Sequence, residues 1–192
     1  VAETLVARSA LRAHVAPPAA PAGAPGFTLR EVPDLTLASV AALKGREAEL
    51  AEAVRAAYGL DLPQGPKRVA SGPVAFVGAG PGKWLAVSSA ATDFSALPAA
   101  VADQSDGRSA FRLAGPKARE TLATLIQVDL HPRAFGAGDV ALTHAASIAV
   151  TLWQLDDEPS YEILMFRTYA ATLWRWIVEA GRSRGVEARL AG

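Results

Sequence analysis

Cysteine is absent from the 192 residues, and with it go disulfides, thiolate nucleophiles and zinc–thiolate sites. Net charge is absent as well, because 19 Lys+Arg balance 19 Asp+Glu. Without a basic surplus there is no electrostatic footprint for nucleic acid or an anionic membrane surface, so neither is expected as a partner. Histidine is scarce: His14, His131 and His144 stand far apart, none has a second ligand at helical metal-binding spacing, and H-E-x-x-H does not occur. A G-x-S-x-G elbow is missing too, which leaves a serine hydrolase without support. Long apolar runs are also lacking. Residues 140–155 carry no charge but include Thr143, His144, Ser147, Thr151 and Gln154, whereas a spanning helix needs roughly 20 predominantly apolar residues. This run is expected to form strands. The opening "VAETLVARSALRAHV" places Glu3, Arg8 and Arg12 where a signal peptide needs an apolar core. The expectation is a soluble, cytoplasmic protein.

What the sequence does hold is a hydrophobic fraction of 51%, enough for a substantial core in one domain or two small packed ones. The Pro/Ala/Gly-rich stretch "APPAAPAGAPG" cannot sustain a helix, so residues 1–26 read as an extended arm. Leu5, Val6 and Leu11 give that arm something to lay on a surface. Residues 27–192 then read as a single domain of two similar halves, about 27–102 and 103–192. In the first half a β-like run with Leu35, Leu37, Val40 and Leu43 feeds a helix over "GREAELAEAVRAAYG". There Leu50, Ala53, Val54, Ala57 and Tyr58 form one stripe and Gly59 stands ready to end it. Strands follow at 74–77 and 84–88, then a second helix at 94–101. In the second half a strand at 108–113 meets the helix start "GPKARETLATLI", with Pro116 at its first position. Strands near 140–143, 148–155 and 161–166 lead to a last helix at about 168–183, with Tyr169, Ala170, Leu173, Ile177 and Ala180 inward. Twice, therefore, the order is strand–helix–strand–strand–helix, with one extra strand in the second copy. The fold class is α+β, antiparallel or mixed sheets with helices on one face.

The glycine cluster in "VAFVGAGPGKW" invites a nucleotide reading. A P-loop, G-x-x-x-x-G-K-[ST], would need glycine at Val77 and a hydroxyl at Trp84. The dinucleotide fingerprint would need its third glycine at Lys83. Both motifs open a helix, but "KWLAVSSA" is β-prone. A glycine-rich hairpin accounts for every residue.

Acidic residues are scattered. Asp156, Asp157 and Glu158 precede Pro159 in what reads as an exposed hairpin tip, and Asp103 and Asp106 flank Ser105 as turn caps. The loop "VDLHPRAF" brings together Asp129, His131 and Arg133 as a compact polar network or a ligand site. Trp174 and Trp176 lie two positions apart on the last helix, so they point to different sides and at least one leaves the inner stripe. An exposed tryptophan is a candidate interface anchor, and burial under the arm is the alternative. Trp174, Trp176, Leu5 and Leu11 are the candidate partner-interface residues.

From "ARSAL" through "DLPQGP", "KWLAV", "DQSDGR" and "DLHPRAF" to "RTYAATLWRWIVEAG", the chain resembles the gamma subunit family of heterotetrameric sarcosine oxidase. That family is similar in turn to the folate-binding fold of the glycine-cleavage aminomethyltransferase, in which a strand runs into a Leu-x-Gly-Pro helix start. The resemblance implies a non-catalytic subunit supporting a complex that oxidatively demethylates sarcosine to glycine, hydrogen peroxide and a folate-bound one-carbon unit. It implies that FAD, FMN, NAD, zinc and tetrahydrofolate sit in the alpha, beta and delta partner subunits, and that this chain packs mainly on alpha. Asp129 falls on a dipeptide beside bound folate in the aminomethyltransferases. The rival expectation is thus a small stand-alone folate-binding protein or one-carbon-transfer enzyme using Asp129.

Overall fold

The structure, a computed structural model, describes residues 8–12, 15 and 23–190. Eleven strands form two sheets. β1 (Phe27–Val32), β7 (Arg108–Ala114), β8 (Val140–Ala145), β9 (Ile148–Gln154), β10 (Ser160–Phe166) and β11 (Val186–Arg189) form a six-stranded sheet in the order β11-β1-β7-β10-β9-β8. β2 (Thr36–Ala42), β3 (Arg68–Ser71), β4 (Val74–Gly80), β5 (Lys83–Ser88) and β6 (Ala99–Asp103) form a five-stranded sheet in the order β3-β4-β5-β2-β6. Every pairing is antiparallel except β1 with β11. The three α-helices are α1 (Glu47–Tyr58), α2 (Ala118–Leu122) and α3 (Ala170–Gly181).

The layers follow from the two-residue alternation of strand side chains. On β4 and β5, Val74, Phe76, Trp84 and Ala86 pack with Leu50 and Val54 of α1, while Ala75, Val77, Leu85 and Val87 turn to the other face. There they meet Ala110, Val140, Trp153 and Leu164 of the six-stranded sheet. That sheet's opposite face carries Phe111, Leu113, Ile163 and Met165 against Ala118, Leu122, Leu173, Trp174 and Ile177 of α2 and α3. The stacking is helix, sheet, sheet, helices. Strands covered on both faces need apolar residues at nearly every position, as in "YEILMF" and "WLAV".

The helix α1 ends as the sequence indicates: Gly59 takes φ 66° and its N–H returns to the Arg55 carbonyl. The glycine cluster is a hairpin. β4 and β5 pair up to Gly80↔Lys83, joined through Pro81 and Gly82, the latter at φ 65°. Proline followed by a positive-φ glycine suits the central pair of a type II turn. Gly78 has another reason: a Cβ there would lie 1.9 Å from the Gly65 carbonyl oxygen, because the 65–67 segment crosses directly over it. No helix follows to receive a phosphate.

Three local expectations are corrected. Residues 94–101 are not helical; Phe94 and Leu97 are buried in a connection, and β6 begins at Ala99. Their three-residue spacing imitates a helical stripe, but Pro98 biases Leu97 away from helical geometry and donates no N–H. The helix expected after Gly115 is brief, Ala118–Leu122, continued only by turn hydrogen bonds from Leu125 and Ile126 to the Leu122 carbonyl. Tyr169 sits in a 3₁₀ turn ahead of α3 and is 49% exposed rather than inward.

Candidate functional site

The Asp129–His131–Arg133 loop does form a local network, and its geometry is that of a turn. Asp129 Oδ1 accepts the His131 N–H at 2.9 Å, and His131 Nδ1 accepts the Arg133 N–H at 3.2 Å. All three side chains are exposed. Leu130 and Phe135 on either side are the buried residues, and they pin the loop to the six-stranded sheet's core. Oδ1 of the Asp129 carboxylate closes its own turn, and Asp129 does not line the cleft described below.

The interface candidates separate. Trp174 is fully buried, edge-on to Phe111 with ring centres 5.3 Å apart, and Leu11 is fully buried in the same cluster. Neither offers surface to a partner. The stripe of α3 turns Trp174 inward with Leu173 and Ile177, and the arm itself uses Leu11 as its anchor. Trp176 is half-buried against that cluster. Leu5 and His14 lie outside the described residues.

Two polar constellations escape sequence inspection. The first lies between the sheets. Glu162 is 5% exposed and faces Arg112 and Trp153 on the neighbouring strands. Arg112 Nε donates to Glu162 Oε1 at 2.9 Å, its Nη2 pairs with the same oxygen, and Trp153 Nε1 donates to Oε2 at 3.0 Å. Arg68 of β3 approaches from the opposite sheet. Burial is the main cause of its guanidinium's lowered pKa, the Glu162 charge opposes that shift, and its Nε has no hydrogen-bond partner. This is a satisfied carboxylate in a low-dielectric seam, built for cohesion.

The second is an open cleft of about 420 Å³. Its walls are Arg8 and Ser9 of the arm, the β1–β2 turn around Asp34, the β6–β7 turn with Ser105 and Asp106, and the side chains of Arg108 and Arg167. The turns are built locally. Asp34 takes φ 54°, Asp103 Oδ1 accepts the Ser105 N–H at 2.7 Å, and Ser105 Oγ accepts the Leu37 N–H at 3.0 Å. That N–H bond holds the Asp103 carboxyl below its usual range. Ser9 Oγ donates to Glu31 Oε2 at 2.6 Å, and Arg167 Nη2 donates to the Arg8 carbonyl, so the arm is tied down at this point. The Arg108 guanidinium lies 3.9 Å from the centre of the exposed Phe166 ring. No sequence motif announces this cleft, because its residues come from four separated segments; the "DQSDGR" piece is the part that could have been singled out.

Among the described residues no group of three or more His, Asp and Glu side chains is placed to hold a metal, and no helix is long and apolar enough to cross a membrane.

Comparison with known proteins gives a consistent picture. The GCVT N-terminal domain family matches residues 79–189. Two curated relatives are each named sarcosine oxidase subunit gamma. The one from Corynebacterium sp. (strain P-1) is 33% identical over 195 residues, covering 92% of this chain and 93% of the relative. The one from Arthrobacter sp. is 33% identical over 192 residues with the same coverage, 92% and 93%. Among solved structures, a chain of heterotetrameric sarcosine oxidase from Corynebacterium sp. U-96, in complex with pyrrole 2-carboxylate, superposes with a TM-score of 0.75 at 30% identity, covering 86% of this chain and 89% of that one. The glycine cleavage system aminomethyltransferase T from Bartonella henselae superposes with a TM-score of 0.61 at 16% identity, covering 88% of this chain and 48% of that one. It shares the fold.

Proposed function

The chain belongs to the sarcosine oxidase subunit gamma family, and on that footing we propose that it is a subunit of a heterotetrameric sarcosine oxidase that supports assembly rather than turnover. The observation that carries this reading is likeness over nearly the full length of both partners, at 33% identity and 92% and 93% coverage. It is not a shared short motif. The complex would oxidatively demethylate sarcosine to glycine, hydrogen peroxide and a folate-bound one-carbon unit, with the alpha, beta and delta subunits supplying FAD, FMN, NAD, zinc and the tetrahydrofolate site. Alpha is the partner on which this chain would chiefly pack, with residues 1–26 as a docking arm on the 27–192 domain.

The chemistry of the side chains supports a scaffold role. The buried ionisable groups Glu162 and Glu31 are held by Arg112, Trp153 and Ser9. A buried acid or base already satisfied by permanent protein partners is poorly placed to exchange protons with a substrate. Asp129 is occupied in a turn. The test is purification of the chain alone and together with the proposed partner subunits. Stoichiometric co-purification with sarcosine-oxidising activity is expected, with no turnover by the chain alone. A folded chain that ignores those subunits, or one that turns over sarcosine unaided, overturns the proposal.

A further inference from the structure

The cleft beneath the arm has a charge pattern that its own residues leave unfinished. Three arginines and three carboxylates line it, yet they are not equivalent. Glu31 is buried and bonded to Ser9, while Asp34 and Asp106 are exposed, so water screens their charge. Arg108 is different: its guanidinium is partly withdrawn from solvent, and among the described residues it has no carboxylate partner and donates no hydrogen bond. Its Nε in particular is covered and unpartnered. The Phe166 ring lies against it, a contact that restrains the guanidinium and lowers the rotamer entropy an incoming ligand would otherwise have to overcome. Arg167 spends a bond on a neutral carbonyl, and among the described residues no carboxylate pairs with it. Phe166, in contact with Arg108, is 46% exposed, and Tyr169, two residues beyond the cleft-lining Arg167, is 49% exposed. A pre-oriented arginine beside exposed aromatics, at the edge of a cleft, is the composition of an interface hot spot.

We propose that this cleft is a docking site for a carboxylate-bearing segment of a partner subunit, with Arg108 as its anchor and Phe166 and Tyr169 as the apolar shoulder. The assignment rests on the subunit reading above and adds the surface and the chemistry. The planar, bidentate geometry of arginine suits a carboxylate, and the exposed rings give it a peptide's apolar neighbours to cover, which a small free anion lacks.

The experiment co-expresses the chain with its partner subunits and measures assembly by pull-down and titration across a salt series. The variants are Arg108→Gln, Arg108→Lys, Phe166→Ala and Tyr169→Ala, with Arg30→Gln, exposed on β1, as control. Arg108→Gln is expected to weaken assembly about tenfold to a hundredfold and to flatten its salt dependence. Arg108→Lys should recover part of the affinity, and the control should match the wild type. Should Arg108→Gln fail to fold, weakened assembly by Phe166→Ala and Tyr169→Ala reports on the same surface. Unchanged assembly by all of these variants, while the wild type assembles, overturns the docking site and leaves the subunit reading standing. A wild-type chain that does not assemble overturns both. Thermal stabilisation of the isolated chain by glutarate, abolished in Arg108→Gln while assembly is untouched, would mark a small-anion site and overturn the docking proposal.

Discussion

Glu162 shows how much one side chain can decide. A carboxylate at 5% exposure survives in the seam between two sheets because Arg112 and Trp153 occupy both of its oxygens. Removing one member of such a set leaves the others desolvated and unpaired, at a cost of about 3–5 kcal/mol. Glu162→Ala is therefore expected to lower the urea midpoint sharply, and Glu162→Ala combined with Arg112→Met should recover part of the loss, measured as a double-mutant cycle. Gly78 makes a second residue-scale case. Any Cβ there meets backbone at 1.9 Å, and backbone cannot swing aside as a flexible side chain could. Gly78→Ala should destabilise by about 1–3 kcal/mol or more, whereas alanine at Gly23, which has open space around it, should leave the midpoint near wild type. Neither residue was legible as structural in the sequence. Glu162 reads as one more charge in an apolar strand, and Gly78 reads as one more glycine of a hairpin; the facts that explain them are contacts with strands or loops remote in the chain.

Among the elements, those with an unbroken apolar pattern were legible: α1 with its terminating Gly59, the β4–β5 hairpin, β7, β9, β10 and α3 all fall where periodicity puts them. β1, β3, β6 and β11 were not anticipated, and residues 94–101 were read as helix. The common cause is that these short segments owe their conformation to neighbours: β1 is held between β7 and β11, and β3 pairs only with β4. The candidate site followed the same division. The Asp129 loop was visible as a polar cluster, but that it closes as a hydrogen-bonded turn depends on the direction of its hydrogen bonds. One inter-element link carries a pH prediction. The Asp139 carboxylate accepts the Gly136 N–H at 2.8 Å and pairs with Lys67 at the start of the neighbouring sheet. Chiefly the backbone N–H, and secondarily Lys67, hold it below the usual carboxylate range. A depressed folded-state pKa contributes stability above the unfolded value of about 3.9, and that contribution is lost as pH falls through the lower folded value. Urea unfolding followed from about pH 5 downward should show a steeper acid decline for the wild type than for Asp139→Asn.

At the scale of the whole molecule, residues 8–11 of the arm are tied into the domain. Leu11 contributes a fully buried side chain to the cluster of α2, α3 and the six-stranded sheet, and Ser9 and Arg8 are bonded to Glu31 and Arg167. Leu11→Ala should cost about 2–5 kcal/mol, and limited proteolysis should then cut within the Pro/Ala-rich segment first while the body of the domain persists. The two sheets also differ in when the chain can complete them. All five strands of the β3-β4-β5-β2-β6 sheet lie within residues 36–103, so every partner is at hand once that stretch has left the ribosome. β1 is made before any of them, yet its neighbours are β7, which begins only at Arg108, and β11, which begins only at Val186. Until β7 emerges neither of its hydrogen-bonding edges has a native mate, and the edge that β11 takes stays open until residues 186–189 emerge, which leaves the nascent chain vulnerable to mispairing.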